Sequence, residues 1–317
     1  MNNPQTHDSL SQLLNVFWLR PETALWRSID IKAMQGFAFT APSLDLGCGD
    51  GIFSFVRAGG GFDISFDAYA TLTRVNQFFE NADVYDNFND AYHPVITQRP
   101  HYDINVGFDH KENLLAKART LDFYDECVKG DANFALPFAG NSFNSVFSNI
   151  IYWLDRPEEI LAEIRRILCP RGTACLMLPN TTFPEYSFYY KYYLAHKNQS
   201  FKFLEYLDRG RFADNLVKHA KSFNEWSSLI KGSGLDILRH SRHISKTTAQ
   251  IWDIGMRPLF PVLVKMRASI DKNILSEIKK EWINTLKIFL SPLGELDSQL
   301  DHDNEPAFHC FLLQKRL

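Results

Sequence analysis

Four residues near position 45 carry the strongest chemical suggestion in this sequence. Asp45 lies in the strand-like run Ser43-Leu44-Asp45-Leu46, and Gly47, Gly49 and Gly51 follow it at alternate positions. Glycine has no Cβ, so such a turn can take positive φ angles, approach a bulky ligand closely and aim backbone N–H groups at it. Ile52-Phe53-Ser54-Phe55-Val56 then reads as the start of a helix, whose N-terminal dipole favours an anionic group. Spacing discriminates between ligands. A dinucleotide site has the order G-x-G-x-x-G, with a pyrophosphate on the helix end, whereas the order here is G-x-G-x-G. A carboxylate at the strand end also repels a pyrophosphate and suits the ammonium of an amino-acid-bearing ligand. Cys48, between two of the glycines, supplies only a small side chain.

A second acid fits the same ligand. Tyr102-Asp103-Ile104-Asn105-Val106-Gly107-Phe108 alternates as a strand does, and Asp109 stands at its end, before a helical run over residues 112–121. A carboxylate there can accept from both hydroxyls of a ribose. The usual interval from glycine loop to ribose acid is about twenty residues, and Asp63 and Asp67 lie nearer that distance. Asp63, however, follows Gly59-Gly60-Gly61, which breaks a strand where one is needed. Asp109 therefore takes the ribose, and residues 59–100 read as an insertion.

The chain continues through Val128-Lys129-Gly130-Asp131-Ala132, a strand over Phe143-Asn144-Ser145-Val146-Phe147-Ser148, and a helix over residues 157–168. Ile160, Leu161, Ile164, Ile167 and Leu168 share one face of that helix, and Cys169-Pro170-Arg171-Gly172 turns it into a strand over residues 173–178. In this order the segments resemble the class I methyltransferases that use S-adenosyl-L-methionine, in particular the broad type 11 group. The resemblance spans residues 43–179 and, more weakly, 222–317, where Phe223-Asn224-Glu225-Trp226 and Gly234-Leu235-Asp236-Ile237-Leu238 look like the late helix and sixth strand. Phe308-His309-Cys310-Phe311-Leu312-Leu313 would be the seventh.

The resemblance implies an α/β fold: a Rossmann-like doubly wound sheet of seven strands, the last antiparallel, with helical insertions. It implies a cofactor site of Asp45, Gly47, Cys48, Gly49, Gly51, Asp109, His110, Asp131, Ala132 and Asn149, in which Asp131 accepts from the adenine amine and the Ala132 amide donates to the ring. Asn149, Tyr152 and Trp153 follow the fourth strand and should stand near the transferred methyl. Tyr186 belongs to a run, with Tyr189, Tyr190 and Tyr193, that fits one helical face and equally a pocket wall. Arg171 departs from the family's usual Pro-Gly-Gly turn.

At 317 residues the chain exceeds such a core, which uses about two thirds of that length. The expected organisation is one domain: a helical cap over residues 1–42, a cofactor half over 43–182 interrupted at 59–100, and helical substrate-side insertions at 183–221 and 246–305. Prolonged apolar sequence around Ile251-Trp252 and Leu259-Phe260-Pro261-Val262-Leu263-Val264 reads as a buried helical hairpin, with a greasy acceptor or a lipid surface as the alternative. A helix over residues 274–290 follows it, and another begins after Pro21.

A net charge of −3, from 34 basic and 37 acidic residues, gives no excess to neutralise phosphates, so a nucleic-acid partner is not expected. Five cysteines without C-x-x-C spacing suit reduced thiols in a cytoplasmic protein, with no metal site. No signal-like segment or membrane-length apolar run is read in the sequence.

The expected activity is methyl transfer to a small-molecule acceptor: a sugar, a polysaccharide precursor or another metabolite. A quinone or lipid acceptor is the alternative within the class, and a non-catalytic nucleoside-binding scaffold the alternative outside it. A nicotinamide oxidoreductase is disfavoured by the glycine spacing. Because a sulfonium methyl is already electrophilic, a dedicated base is optional. His196, His240 and His243 are candidates by side-chain pKa alone, and no catalytic residue is assigned.

Overall fold

The computed structural model describes residues 8–72, 87–196, 214–255, 259–297, 299 and 305–317. Its centre is a seven-stranded sheet built from β1 (Ser43–Leu46), β4 (Ile104–Asp109), β5 (Tyr124–Lys129), β6 (Phe143–Ser148), β7 (Leu168–Pro179), β8 (Leu235–His243) and β9 (Phe308–Lys315). The order across the sheet is β5-β4-β1-β6-β7-β9-β8. β1 pairs in parallel with β4 and β6, whereas β9 runs antiparallel to both β7 and β8. The fold is thus the Rossmann-like doubly wound sheet with its last strand reversed that the sequence implies. All four residues of β1 are buried, as a central strand covered on both faces must be.

Helices on one face come from strongly patterned sequence. In α5 (Pro157–Ile167) Pro157 starts the first turn, Glu158 and Glu159 sit in that turn, and Arg165 and Arg166 close the last. Its stripe Ile160, Leu161, Ile164 and Ile167 packs with Trp226 and Ile230 of α9 (Phe223–Gly232) against Leu44, Leu46 and Val146. A capping box between Ser222 and Glu225 sets where α9 begins.

Beyond the other face lies a roof. It contains α1 (Ser9–Val16), α2 (Pro21–Ala33), residues 61–72, α10 (Lys246–Ile254), α11 (Phe260–Ser269) and α12 (Lys272–Leu296). Asp67 joins three of these pieces, accepting from Trp18 Nε1 at 3.2 Å and Arg267 Nε at 2.6 Å. Trp282 Nε1 donates to the Trp18 carbonyl at 2.8 Å. Lys279, only 1% exposed, donates to the carbonyls of Ile64 (3.1 Å) and Phe66.

Several local expectations are corrected. The glycines at 59–61 do not exclude a strand: β2 (Gly61–Phe62) pairs with β3 (Ile96–Gln98), but as a two-stranded ribbon apart from the main sheet. The turn at residues 169–172 is a bulge within β7, where pairing shifts from Phe143↔Leu168 to Ser145↔Thr173. Arg171 takes φ +63° there, in the region glycine usually fills. The tyrosine run is not one helix, because the chain leaves α6 (Thr182–Tyr186) at Ser187 before α7 (Phe188–His196) begins. The side chains of Tyr193 and His196 lie outside the described residues. The apolar stretch read as a hairpin falls on α10 and α11, and the helix expected over residues 274–290, α12, extends past both ends, with Pro292 inside it.

Candidate functional site

The glycine turn closes β1 as its spacing demands, with Gly47, Gly49 and Gly51 at φ +85°, +57° and +77°. Two of these positions serve different ends. A Cβ on Gly47 would lie 2.6 Å from Ile150 side-chain atoms, so its absence lets the segment after β6 close over the turn. A Cβ on Gly49 would meet nothing within 4 Å, so Gly49 faces open space of the kind a close-lying ligand needs. The residues therefore fit the nucleoside cofactor by leaving a cradle that a side chain would fill.

Four amides of this turn donate within the protein. Gly47 and Cys48 N–H both donate to the Phe108 carbonyl, at 2.8 and 3.0 Å, and Gly51 N–H donates to the Cys48 carbonyl. Gly49 N–H donates to Asp109 Oδ2 at 3.0 Å. At the start of α3 (Ile52–Arg57) the Ile52 N–H is taken by Asp50 Oδ1. The amides of Gly47, Cys48, Gly49, Gly51 and Ile52 thus donate within the protein, to β4, Cys48 and Asp50.

Asp45 lies in β1, two residues before Gly47. It is 2% exposed, and its Oδ2 accepts from Ser54 Oγ at 2.5 Å and Tyr124 OH at 2.8 Å, so it braces the turn from within the sheet. Burial pushes its carboxyl up to about 6, against the two hydroxyls that pull it down. Cys48 is buried and its thiol is pushed up, first by burial and then by Asp45 and Asp109.

Asp109 stands beside the turn at the end of β4. Its Oδ1 accepts from Lys111 N–H at 2.9 Å and its Oδ2 from Gly49, which orients the carboxylate and leaves each oxygen a second acceptor site. His110 is exposed, its Nδ1 3.4 Å from Asp109 Oδ1. The rival acids lie elsewhere: Asp63 Oδ1 accepts from Ser65 N–H and Oγ beside the β2–β3 ribbon, and Asp67 belongs to the roof. The separation of sixty positions between Gly49 and Asp109 is therefore closed by parallel pairing of β1 with β4.

Asp131 and Ala132 follow β5, the acid exposed and the alanine buried. Asp131 Oδ1 accepts from Asn133 N–H, and Asn133 Oδ1 accepts from Asp155 N–H at 2.8 Å, which joins this loop to the chain after β6. At the β6 end, Ser148 Oγ donates to the Leu46 carbonyl at 2.9 Å, fixing Asn149 next to the glycine turn. Tyr152 and Trp153 lie in the single turn Ile151–Trp153 and are half-buried, their ring centroids 5.1 Å apart. Burial pushes the Tyr152 phenol up to about 12. Tyr186 is placed differently: it is buried and its hydroxyl donates to the Glu305 carbonyl at 2.6 Å.

Aromatic side chains from distant segments gather at this edge. Trp26 of α2 lies 4.7 Å from Trp252, 5.3 Å from Phe308 and 5.5 Å from Phe183, and Phe308 lies 5.7 Å from Tyr152. Two polar residues that sequence reasoning passed over are also here. Arg27, one position on from Trp26, places its guanidinium 5.3 Å from the Phe53 ring centroid. His219 of α8 (Asp214–His219) sets Nδ1 3.3 Å from the Tyr152 carbonyl, and burial holds its pKa below the ordinary histidine value. Neither has a local motif, because each reaches the edge through tertiary packing.

The histidines considered earlier have other surroundings. His240 and His309 share a 2.9 Å contact on β8 and β9; burial first, then neighbouring positive charge, takes them down to about 4 and about 3. His243 faces Asp30 at 3.2 Å; burial opposes its charged form, but the carboxylate outweighs that and raises its pKa.

A family model described as a methyltransferase domain matches residues 90–176, from the end of the first insertion through most of β7. No curated protein sequence matches the chain. Among solved structures, a S-adenosylmethionine-dependent methyltransferase from Thermotoga maritima is 14% identical, with 97% of this chain and 100% of that chain covered and a TM-score of 0.45. One from Mesorhizobium loti is 14% identical, covering 90% and 96%, also at 0.45. Phosphoethanolamine N-methyltransferase 2 of Haemonchus contortus, solved with S-adenosyl-L-methionine, is 15% identical, covering 99% of this chain and 59% of that one, at 0.46. The match to the methyltransferase-domain model thus lies across β4 to β7, with the glycine turn on β1 beside them.

Proposed function

We propose that the acceptor is a small molecule, of the sugar, polysaccharide-precursor or general metabolite kind, bound at the carboxyl edge of β1 and β6. The observation that carries this reading is the roof. The helices α1, α2 and α10–α12 meet over this side of the sheet, and Trp26, Phe183, Trp252 and Phe308 pack against one another beside Tyr152. Such a cover suits a compact acceptor better than a polymer, and the net charge of −3 gives a nucleic acid little attraction.

In this reading Asp109 holds the ribose, Asp131 and Ala132 read the adenine, and Gly49 gives the cofactor room. The cofactor, when bound, supplies an electrophilic methyl group. The protein positions the acceptor with Asn149, Tyr152 and Trp153 and keeps water away from the transfer. Tyr152, with its pKa raised to about 12, stays protonated and acts as a hydrogen-bond donor.

A second reading, an apolar lipid or quinone acceptor, draws on α11 and its approach. Leu259, Val262 and Met266 are all more than half exposed there, beside the exposed Lys265. No helix among the described residues is long and apolar enough to cross a membrane. Thermal shift tests the cofactor part: S-adenosylmethionine and S-adenosylhomocysteine should raise the melting temperature, and NAD should not. Mass-spectrometric screening of methylated products then separates the acceptors. Turnover only on acceptors presented in lipid vesicles would overturn the first reading, and cofactor binding without turnover on any acceptor would favour a scaffold.

A further inference from the structure

We propose that the amino edge of the sheet, around Arg165, Arg171, Lys231 and Lys315, docks an acidic segment of a partner protein. This edge lies opposite the one that carries the glycine turn, so the inference goes beyond the methyl-transfer reading and is independent of the acceptor. Three strands bring the cations together. β7 opens where β9 closes, with Thr173 opposite Gln314, and β8 opens beside them, with Leu235 opposite Lys315. Gln314 Nε2 donates to the Arg171 carbonyl at 3.1 Å, which sets the β7 bulge against the end of β9. Arg165, in the last turn of α5, reaches the same corner across Gly234, where a Cβ would run into its Nε. Adjacent strands lie about 4.8 Å apart, so the patch is about 10 Å wide across β7, β9 and β8.

The edge carries more positive charge than its own acids neutralise. Arg166 is spent: it forks onto Glu163, through Nε at 2.7 Å and Nη2 at 2.8 Å, and its Nη1 donates to the Phe138 carbonyl. Arg316 is spent on Asp236 Oδ1, at 3.0 and 2.7 Å. Lys231, exposed in the last turn of α9, shares Asp236 with it. Arg165 and Arg171 are exposed, and their guanidinium groups make no hydrogen bond or ion pair among the described residues. Lys315 Nζ donates to Asn141 Oδ1 and the Leu168 carbonyl, both at 2.6 Å, and keeps a third N–H. Burial first, and then the like charge of Arg165, lower the Lys315 pKa. Holding like charges together costs free energy that an outside carboxylate recovers. A longer polyanion suits this edge less well, because past the patch it runs onto a chain whose net charge is −3. Leu238, 52% exposed in the β8 bulge two residues after Asp236, adds the apolar contact that protein interfaces place beside arginines.

The test is fluorescence anisotropy of the full chain with a labelled hexaglutamate peptide, at about 50 mM salt to limit screening. Binding should saturate, and the double variant Arg165→Gln, Arg171→Gln should weaken it about fivefold or more, as for two exposed ion pairs. Neither guanidinium has an internal contact to lose, so the melting temperature should not change. Lys265→Gln, on the roof, should bind as the wild type does. Carbodiimide coupling of the peptide, located by mass spectrometry, should fall on Lys231 and Lys315. No binding by the wild type overturns the proposal, as do an equal loss in Lys265→Gln and coupling only to lysines away from this edge. Displacement of the peptide by inorganic phosphate at equal charge makes the edge a small-anion site, and tighter binding of a single-stranded oligonucleotide makes it a nucleic-acid surface; either result overturns the proposal too. No outcome involves S-adenosylmethionine, so failure here leaves the methyl-transfer reading untouched.

Discussion

The half that carries the glycine turn, residues 43–182, and the roof over it reach order by opposite routes. In the half that carries the glycine turn, each element is prepared by its own stretch of sequence: alternate glycines, an acid at a strand end, a helix with one apolar stripe. In the roof the decisive contacts join residues about fifty to two hundred and sixty positions apart, as Trp18, Asp67, Arg267, Lys279 and Trp282 do. The first region is determined by what a backbone can do locally, the second by whether a few buried polar groups find partners. A buried donor or acceptor left alone costs about 1–3 kcal/mol, so such a network selects one arrangement of otherwise adaptable helices.

The largest effect that would break this contrast lies in the roof. Lys279→Met keeps the side chain's length but leaves the Ile64 and Phe66 carbonyls unpaired in the interior. It should cost about 3 kcal/mol in denaturant unfolding. Cofactor affinity measured well below the transition should hold, since Lys279 touches no part of the turn. A large loss of affinity with little loss of stability would mean that the roof and the cofactor site are one unit.

Next comes Asp109→Ala, which should weaken S-adenosylhomocysteine about 100-fold by calorimetry, as two charge-assisted hydrogen bonds are lost. Asp63→Ala should change it little. The reverse order would return the ribose to the insertion.

A smaller effect separates two glycines of the same turn. Gly49→Ala places a methyl in open space and pays only the left-handed backbone cost of about 1–2 kcal/mol, yet should lower cofactor affinity about tenfold. Gly47→Ala meets Ile150 and should appear mainly as a lower melting temperature.

The smallest prediction concerns pH. Asp45 has its pKa raised from 3.8 to about 6, so between those values the folded state binds a proton that the unfolded state does not. Its contribution to stability is therefore full below about pH 3.8 and lost as pH rises through about 6. Asp45→Asn should flatten the dependence of melting temperature on pH across that window, and an unchanged slope would show that the carboxyl titrates normally.

Much of the sheet and the glycine turn was legible because glycine spacing, strand alternation and helix stripes are local properties. That Asp109 and not Asp63 stands beside the glycine turn could be read from the strand before it and the helix after it, even sixty positions beyond Gly49. The direction of the turn's N–H groups was not legible, because it depends on where the Phe108 carbonyl lies once β4 pairs with β1. The division of the tyrosine run at Ser187 was hidden for a similar reason. Asp253 accepts from Ser187 Oγ at 3.0 Å and from Phe188 N–H at 2.8 Å, and that acid comes from a distant helix.

By itself, then, the order of apolar runs, glycines and acids determined a seven-stranded sheet and most of the residues around its glycine turn. Only the tertiary structure decided which of those groups meet partners inside the protein: it spent the amides of Gly47, Cys48, Gly49 and Gly51 internally and delivered Arg27, His219 and the aromatic wall from remote segments. The physical reason is that backbone propensity acts over a few residues, whereas hydrogen-bond satisfaction and burial are settled only when the whole chain has packed.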